Sequence, residues 1–131
     1  APNEPKVIAV LDWELSTLGH PLADLGYNLM LHEEDSSVRS GLSLKNLDLE
    51  SLGIPTKEYL IKKYCEMVNR DIINPNFYIV FSMFRNVAIL EGVLARGRAG
   101  NASSSLAEEK GALAVPIAKI AWGLVKNSNL D

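Results

Sequence analysis

The apolar positions change rhythm along the chain, and each rhythm predicts an element. Residues 7–11, VIAVL, are five apolar residues in a row, three of them β-branched. Such a short continuous run predicts a strand buried on both faces. It ends at Asp12, Trp13 and Glu14, and Gly19-His20-Pro21 then breaks the chain. Pro21 suits the first position of a helix, and Leu22, Leu25, Leu29 and Met30 supply helical spacing. That helix is expected to end in a solvated acidic stretch, Glu33-Glu34-Asp35. Residues 36–55 are polar and broken by two glycines, which predicts a long exposed loop. Thr56 is placed to cap a second helix with an apolar stripe of Leu60, Tyr64, Met67 and Val68. Asn74-Pro75 opens a third helix, apolar nearly all round, that runs to about Arg98; such a helix is expected at the centre of a bundle. Gly97-Arg98-Ala99-Gly100 reads as its C-terminus. Ser105 and Glu108 have capping-box spacing at the start of a last helix reaching about Asn127. Gly111 should weaken that helix and Pro116 should kink or divide it. The pattern predicts a mainly α (α+β) fold with one N-terminal strand or hairpin.

Composition narrows the functions open to such a chain. Hydrophobic residues make up 47% and charged residues 22% of the 131, enough to bury a core. A net charge of −3 leaves no basic footprint for nucleic acid or an anionic membrane. The apolar stretch 77–95 is interrupted by Arg85, Asn86 and Glu91, which argues against a membrane span. Cys65 is the single cysteine, so an intrachain disulfide is excluded and an intracellular location is expected: cytoplasmic, mitochondrial or peroxisomal. His20 and His32 have no cysteines clustered near them, which disfavours zinc. Cys65 itself reads as a packing residue. The chain begins without Met and reaches a buried-type strand within a few residues. It is expected to be a piece of a longer polypeptide, although N-terminal processing would look the same. A cut edge would expose apolar surface and favour self-association.

Candidate chemistry starts at the strand tip. A carboxylate such as Asp12 at the end of an apolar strand is costly to bury unless it is paired or binds a cation. Magnesium fits, because it takes one or two protein carboxylates and fills its other positions with water and phosphate oxygens. The alternative is a turn or cap residue. Asp24, in a first helical turn, is favoured by the helix dipole and can accept from backbone N–H groups. Arg85 shares a helix side with Ser82 and Asn86. It reads as a basic group lining a substrate pocket or as a core arginine paired with an acid such as Glu91. Trp13 and Tyr27 read as substrate contacts or, more often for aromatic residues at such positions, as core.

The string VLDWELSTLGHPLADLGYNL resembles the segment after the catalytic loop in the aminoglycoside phosphotransferase and choline kinase-like family. Residues 13–17, WELST, and 21–25, PLADL, resemble in particular the kinase-like domain joined to acyl-CoA dehydrogenases of the family member ten and eleven type. Residues 81–85, FSMFR, and 100–104, GNASS, extend the likeness over nearly the whole chain. The resemblance implies that residues 1–131 are a partial kinase-like domain, the helical C-terminal subdomain of a protein kinase-like fold. It implies that Asp12 is the magnesium-binding acid and that Asp24 braces the catalytic loop. It implies that Glu14 supports the site, and that the helices after Asp24 line the acceptor side. His20 stands where many relatives carry Asp, which disfavours a second metal ligand there.

The catalytic residues themselves are missing. The family's His-Gly-Asp-x-x-x-x-Asn loop precedes the strand, and no segment of this chain matches it. His20-Pro-Leu-Ala-Asp24 has the wrong spacing, His32 is followed by Glu-Glu-Asp, and no Gly-x-x-x-x-Gly-Lys occurs. The complete domain is expected to use Mg²⁺ and ATP; this chain alone is expected to bind neither and to be inactive. Its expected partners are a missing N-terminal lobe of the same polypeptide and a small-molecule substrate with a hydroxyl, hydroxyacyl-CoA first and aminoglycoside or choline-like alcohols second. The rival expectation is a non-catalytic helical interaction module derived from such a fold.

Overall fold

The computed structural model describes residues 1–14, 16–34, 38, 43–71 and 73–128. Among these residues, five α-helices follow an N-terminal segment without regular structure: α1 (Leu22–Leu29), α2 (Lys57–Met67), α3 (Asn76–Arg98), α4 (Ala107–Gly111) and α5 (Ala114–Asn127). A 3₁₀ turn, Met30–His32, prolongs α1. The helices bear out the reading of a helical subdomain. The strand does not form: residues 7–11 carry no regular structure, and no strand occurs among the described residues. Val7 and Leu11, read as buried, are 82% and 81% exposed. The reason is physical. A strand completes its hydrogen bonds only beside another strand, whereas a helix completes them within itself.

Local signals place most helix ends. Thr56 Oγ1 accepts from the Tyr59 N–H at 3.2 Å and caps α2. At the other end Asn69 adopts φ 50, and the N–H groups of Asn69 and Arg70 donate to the carbonyls of Glu66 and Cys65. Gly100, at φ 70, ends α3 in the same way, with Asn101 N–H donating to the Arg96 carbonyl at 3.1 Å. The expected division of the last helix occurs, but at Ala112-Leu113. Pro116 lies in the first turn of α5, where its missing N–H has no intrahelical partner to lose. The Ser105–Glu108 capping box does not form; the Ser104 hydroxyl accepts from the Leu106 N–H instead.

Helix α3 is central, as its pattern predicts, and α1, α4 and α5 all pack on it. Ile79 and Met83 are fully buried there and meet Leu29, Met30, Ile61, Cys65, Ile117 and Ala121 from the other elements. By length and composition alone α3 is apolar enough to cross a membrane, although Arg85 and Glu91 lie within it. Glycines let the backbones approach. A Cβ on Gly26 of α1 would sit 2.5 Å from the Tyr78 carbonyl carbon, and one on Gly111 would sit 2.5 Å from Leu94 Cβ. Gly111 is thus a packing contact rather than a weak point in a helix.

Four further expectations are corrected. Glu33 and Glu34 are buried, not a solvated helix end; Glu33 accepts from Lys57 Nζ at 2.5 Å, and the Glu34 carbonyl accepts from the Lys45 N–H. Asp35 lies outside the described residues. The loop after it is not wholly exposed, since Val38 joins the core and Ser43 is buried. The buried stripe of α2 is Ile61 and Cys65 flanked by Leu60 and Tyr64, while Met67 and Val68 face solvent. Trp13 and Tyr27 are exposed rather than core.

Candidate functional site

The site is built where the N-terminal segment turns into α1. Asp12 adopts φ 69, a left-handed conformation that Asp tolerates better than most residues. The Trp13 indole N–H donates to the Val10 carbonyl at 2.7 Å, and Ser16 N–H donates to the Trp13 carbonyl. These local bonds turn the chain immediately after Asp12. His20 then starts α1: its Nδ1 accepts from the Leu22 N–H at 3.3 Å, and its carbonyl accepts from the Ala23 N–H. With Nδ1 as acceptor, the proton of the neutral ring sits on Nε2, which faces the Tyr78 hydroxyl at 3.5 Å. The two rings stack with centroids 5.1 Å apart. Below them Ser82 Oγ donates to the Ala23 carbonyl at 3.2 Å, fixing α1 to α3.

Two adjoining clefts open there. One, of about 440 Å³, is lined by Trp13, Ser16, Thr17, Leu18, His20, Asp24 and Arg85, among others. The second, of about 590 Å³, is lined by Thr17, Gly19, His20, Ala23, Phe77, Tyr78, Phe81 and Arg85. The structure therefore brings Asp24 and Arg85, 61 positions apart in sequence, to one cleft. Asp24 is exposed, and among the described residues its carboxylate makes no ion pair or hydrogen bond. Arg85 is exposed, with its guanidinium carbon 5.9 Å from the centroid of the Phe81 ring. Among the described residues it has no ion pair with Glu91, so the core-arginine alternative is not realised.

Asp12 and Glu14 are exposed on the N-terminal segment and line neither cleft. Among the described residues no three His, Cys, Asp or Glu side chains converge to hold a metal. Asp12 thus offers one open carboxylate. That suits magnesium bound largely through phosphate and water, and it does not make a protein cage. From the sequence, His20 is weighed only as a metal ligand, and Tyr78, Phe77 and Phe81 are not singled out as site residues; their visible signal is a run of aromatic residues at the start of α3.

Another titratable group sits apart from the clefts. Burial, and after it the Lys57 ammonium, hold the His32 imidazole below its ordinary value; Glu58 and Glu33 oppose this.

No protein-family profile matches the chain. A solved structure does. A Ralstonia eutropha protein classed as an aminoglycoside phosphotransferase superposes with a TM-score of 0.84 at 43% identity, over 96% of this chain and 38% of that one. This chain has the fold of one part of an aminoglycoside phosphotransferase-like protein. The helical kinase-like reading of α1 to α5 stands on that match. Curated relatives agree with the finer likeness. Mouse acyl-CoA dehydrogenase family member 10 is 44% identical over 92% of this chain, and human acyl-CoA dehydrogenase family member 11 is 41% identical over 79%. The chain spans only 11% and 13% of the length of those two relatives.

Proposed function

We propose that this chain forms the acceptor-side helical part of an ATP- and magnesium-dependent phosphotransferase acting on a small-molecule hydroxyl. The observation that carries this is the structural match over 96% of the chain to a protein classed as an aminoglycoside phosphotransferase. The likeness to acyl-CoA dehydrogenase family members makes hydroxyacyl-CoA the first acceptor to try. In this reading Asp12 is the acid offered to magnesium, and magnesium, when bound, neutralises charge on the transferring phosphates. Asp24 is held at the first turn of α1 to brace the catalytic loop, with Glu14 supporting the site from the N-terminal segment. Arg85 meets the acceptor. The missing N-terminal lobe supplies the nucleotide cradle and the catalytic loop, so the chain alone transfers nothing.

The rival is a helical module kept for binding, and the exposed apolar residues of 7–11 fit it as well as they fit a face that the N-terminal lobe would cover. Magnesium-dependent ATP binding by a polypeptide that carries this chain behind its lobe separates the two. The kinase reading expects binding that is lost when magnesium is chelated. Binding that is absent, or indifferent to magnesium, supports the module.

A further inference from the structure

The larger cleft has a chemistry of its own. Four of its lining residues carry rings: His20 stacked on Tyr78, and Phe77 stacked on Phe81 with centroids 6.4 Å apart and planes 2° from parallel. Tyr78 meets the edge of Phe77 at 5.2 Å, so the rings form one continuous wall. Among its described lining residues Arg85 carries the one formal charge, and no acid is present. Arg85 and Phe81 lie one helical turn apart on α3, and the guanidinium is near the Phe81 ring. That contact leaves the guanidinium N–H groups free to meet an anion. Asp24 lines the neighbouring cleft and not this one.

We infer that this cleft selects an anionic ligand with a flat or apolar body, and rejects polycations. A polyamine needs carboxylates to replace the water it gives up; here it would meet the Arg85 charge, and cation–π contact with the rings is too weak to replace those carboxylates. A phosphate or carboxylate meets Arg85, and its flat body lies on the rings. The inference rests on the proposed acceptor role of this face. It narrows that role: the acceptor enters by an anionic group held by Arg85, even though the structural relative is classed as acting on aminoglycosides. Phe81 is the positioning residue, because its ring restrains the guanidinium.

The test is binding, not turnover, so it is separate from the fate of the kinase reading. The full chain is titrated with 1-naphthyl phosphate, with 1-naphthol and with kanamycin, and amide and arginine side-chain NMR shifts are followed. The phosphate should move the Phe81, Tyr78 and Arg85 signals and bind about tenfold or more tighter than naphthol, the scale of one hydrogen bond to a charged group. Kanamycin should move none of them. Arg85→Gln should bring the two naphthyl compounds to equal affinity. Arg85→Lys, which keeps the charge and loses the planar fork, should restore part of the preference. Both variants should keep the far-UV circular dichroism of the parent, since Arg85 is exposed. Kanamycin binding at these residues, or a phosphate preference unchanged in Arg85→Gln, overturns the inference. If a magnesium-dependent kinase is found but the phosphate preference is not, the function stands and this subsite falls.

Discussion

Two regions of this molecule are comparably apolar and end in opposite environments. Residues 7–11 are uninterrupted apolar residues, yet each is exposed and the segment has no strand partner among the described residues. Helix α3 is less purely apolar, with Arg85, Asn86 and Glu91 inside it, yet it carries the centre of the core. Hydrophobicity alone does not decide which segment is buried. A helix closes its own backbone hydrogen bonds and can offer a face to several neighbours, whereas an extended segment must first find a partner strand. The candidate site spans this divide. Its cleft, with Asp24 and Arg85, belongs to the helical body, and Asp12 belongs to the unpaired segment.

The largest test of that contrast compares one apolar residue from each region. Ile79→Ala in the core should cost about 2–5 kcal/mol, by the transfer and cavity terms of a buried large-to-small change. Val10→Ala in the N-terminal segment should stay within about 0.5 kcal/mol. Urea denaturation of both variants reads the difference, and similar costs would mean that residues 7–11 are buried in solution. A smaller effect is expected at the crossing of α1 and α3. Gly26→Ala places a methyl against the Tyr78 backbone and should cost about 1–3 kcal/mol, with the site disturbed through Tyr78 and His20. Gly53→Ala is the control, for it meets nothing within 4 Å; its φ of 65 makes its loss a local backbone strain away from the helix contact.

The smallest effect is a pH dependence. His32 has a folded pKa below its ordinary 6.5, caused first by burial. Below that ordinary value the unfolded chain binds the proton more readily than the folded one. Stability from this group is therefore whole above about pH 6.5 and falls as pH drops toward the folded value. The melting temperature should decline more steeply between about pH 7.5 and about pH 5.5 in the parent than in His32→Gln. Equal slopes would show that His32 is not the group responsible.

Legibility in the sequence followed the range of the interactions. Thr56, Asn74-Pro75, Gly100 and Pro116 mark helix ends by local bonding rules, and each lies at or within a few residues of an observed end. Asp24 and Arg85 were visible as candidate site residues, but their meeting in one cleft depends on how α1 crosses α3. That crossing is set by Gly26, whose role is invisible without its neighbour Tyr78. The pairing of His20 with Tyr78 spans 58 positions and has no sequence period to announce it. Val38 reached the core from a segment whose polar composition reads as loop, and Glu33 is buried because Lys57 comes to meet it from another helix. Sequence rules mark where helices start and stop; the contacts between them make the site.

The measurement that bears most directly on the account is phosphate transfer from ATP to a hydroxyacyl-CoA, by a polypeptide in which this chain follows its catalytic loop, in parent and Asp12→Ala forms. The account predicts a magnesium-dependent phosphorylated product, with a rate that falls at least about 10²-fold in Asp12→Ala while the helical circular dichroism is kept. Transfer that is equally fast in Asp12→Ala, or no transfer to any hydroxyl-bearing acceptor despite a folded protein, would contradict it.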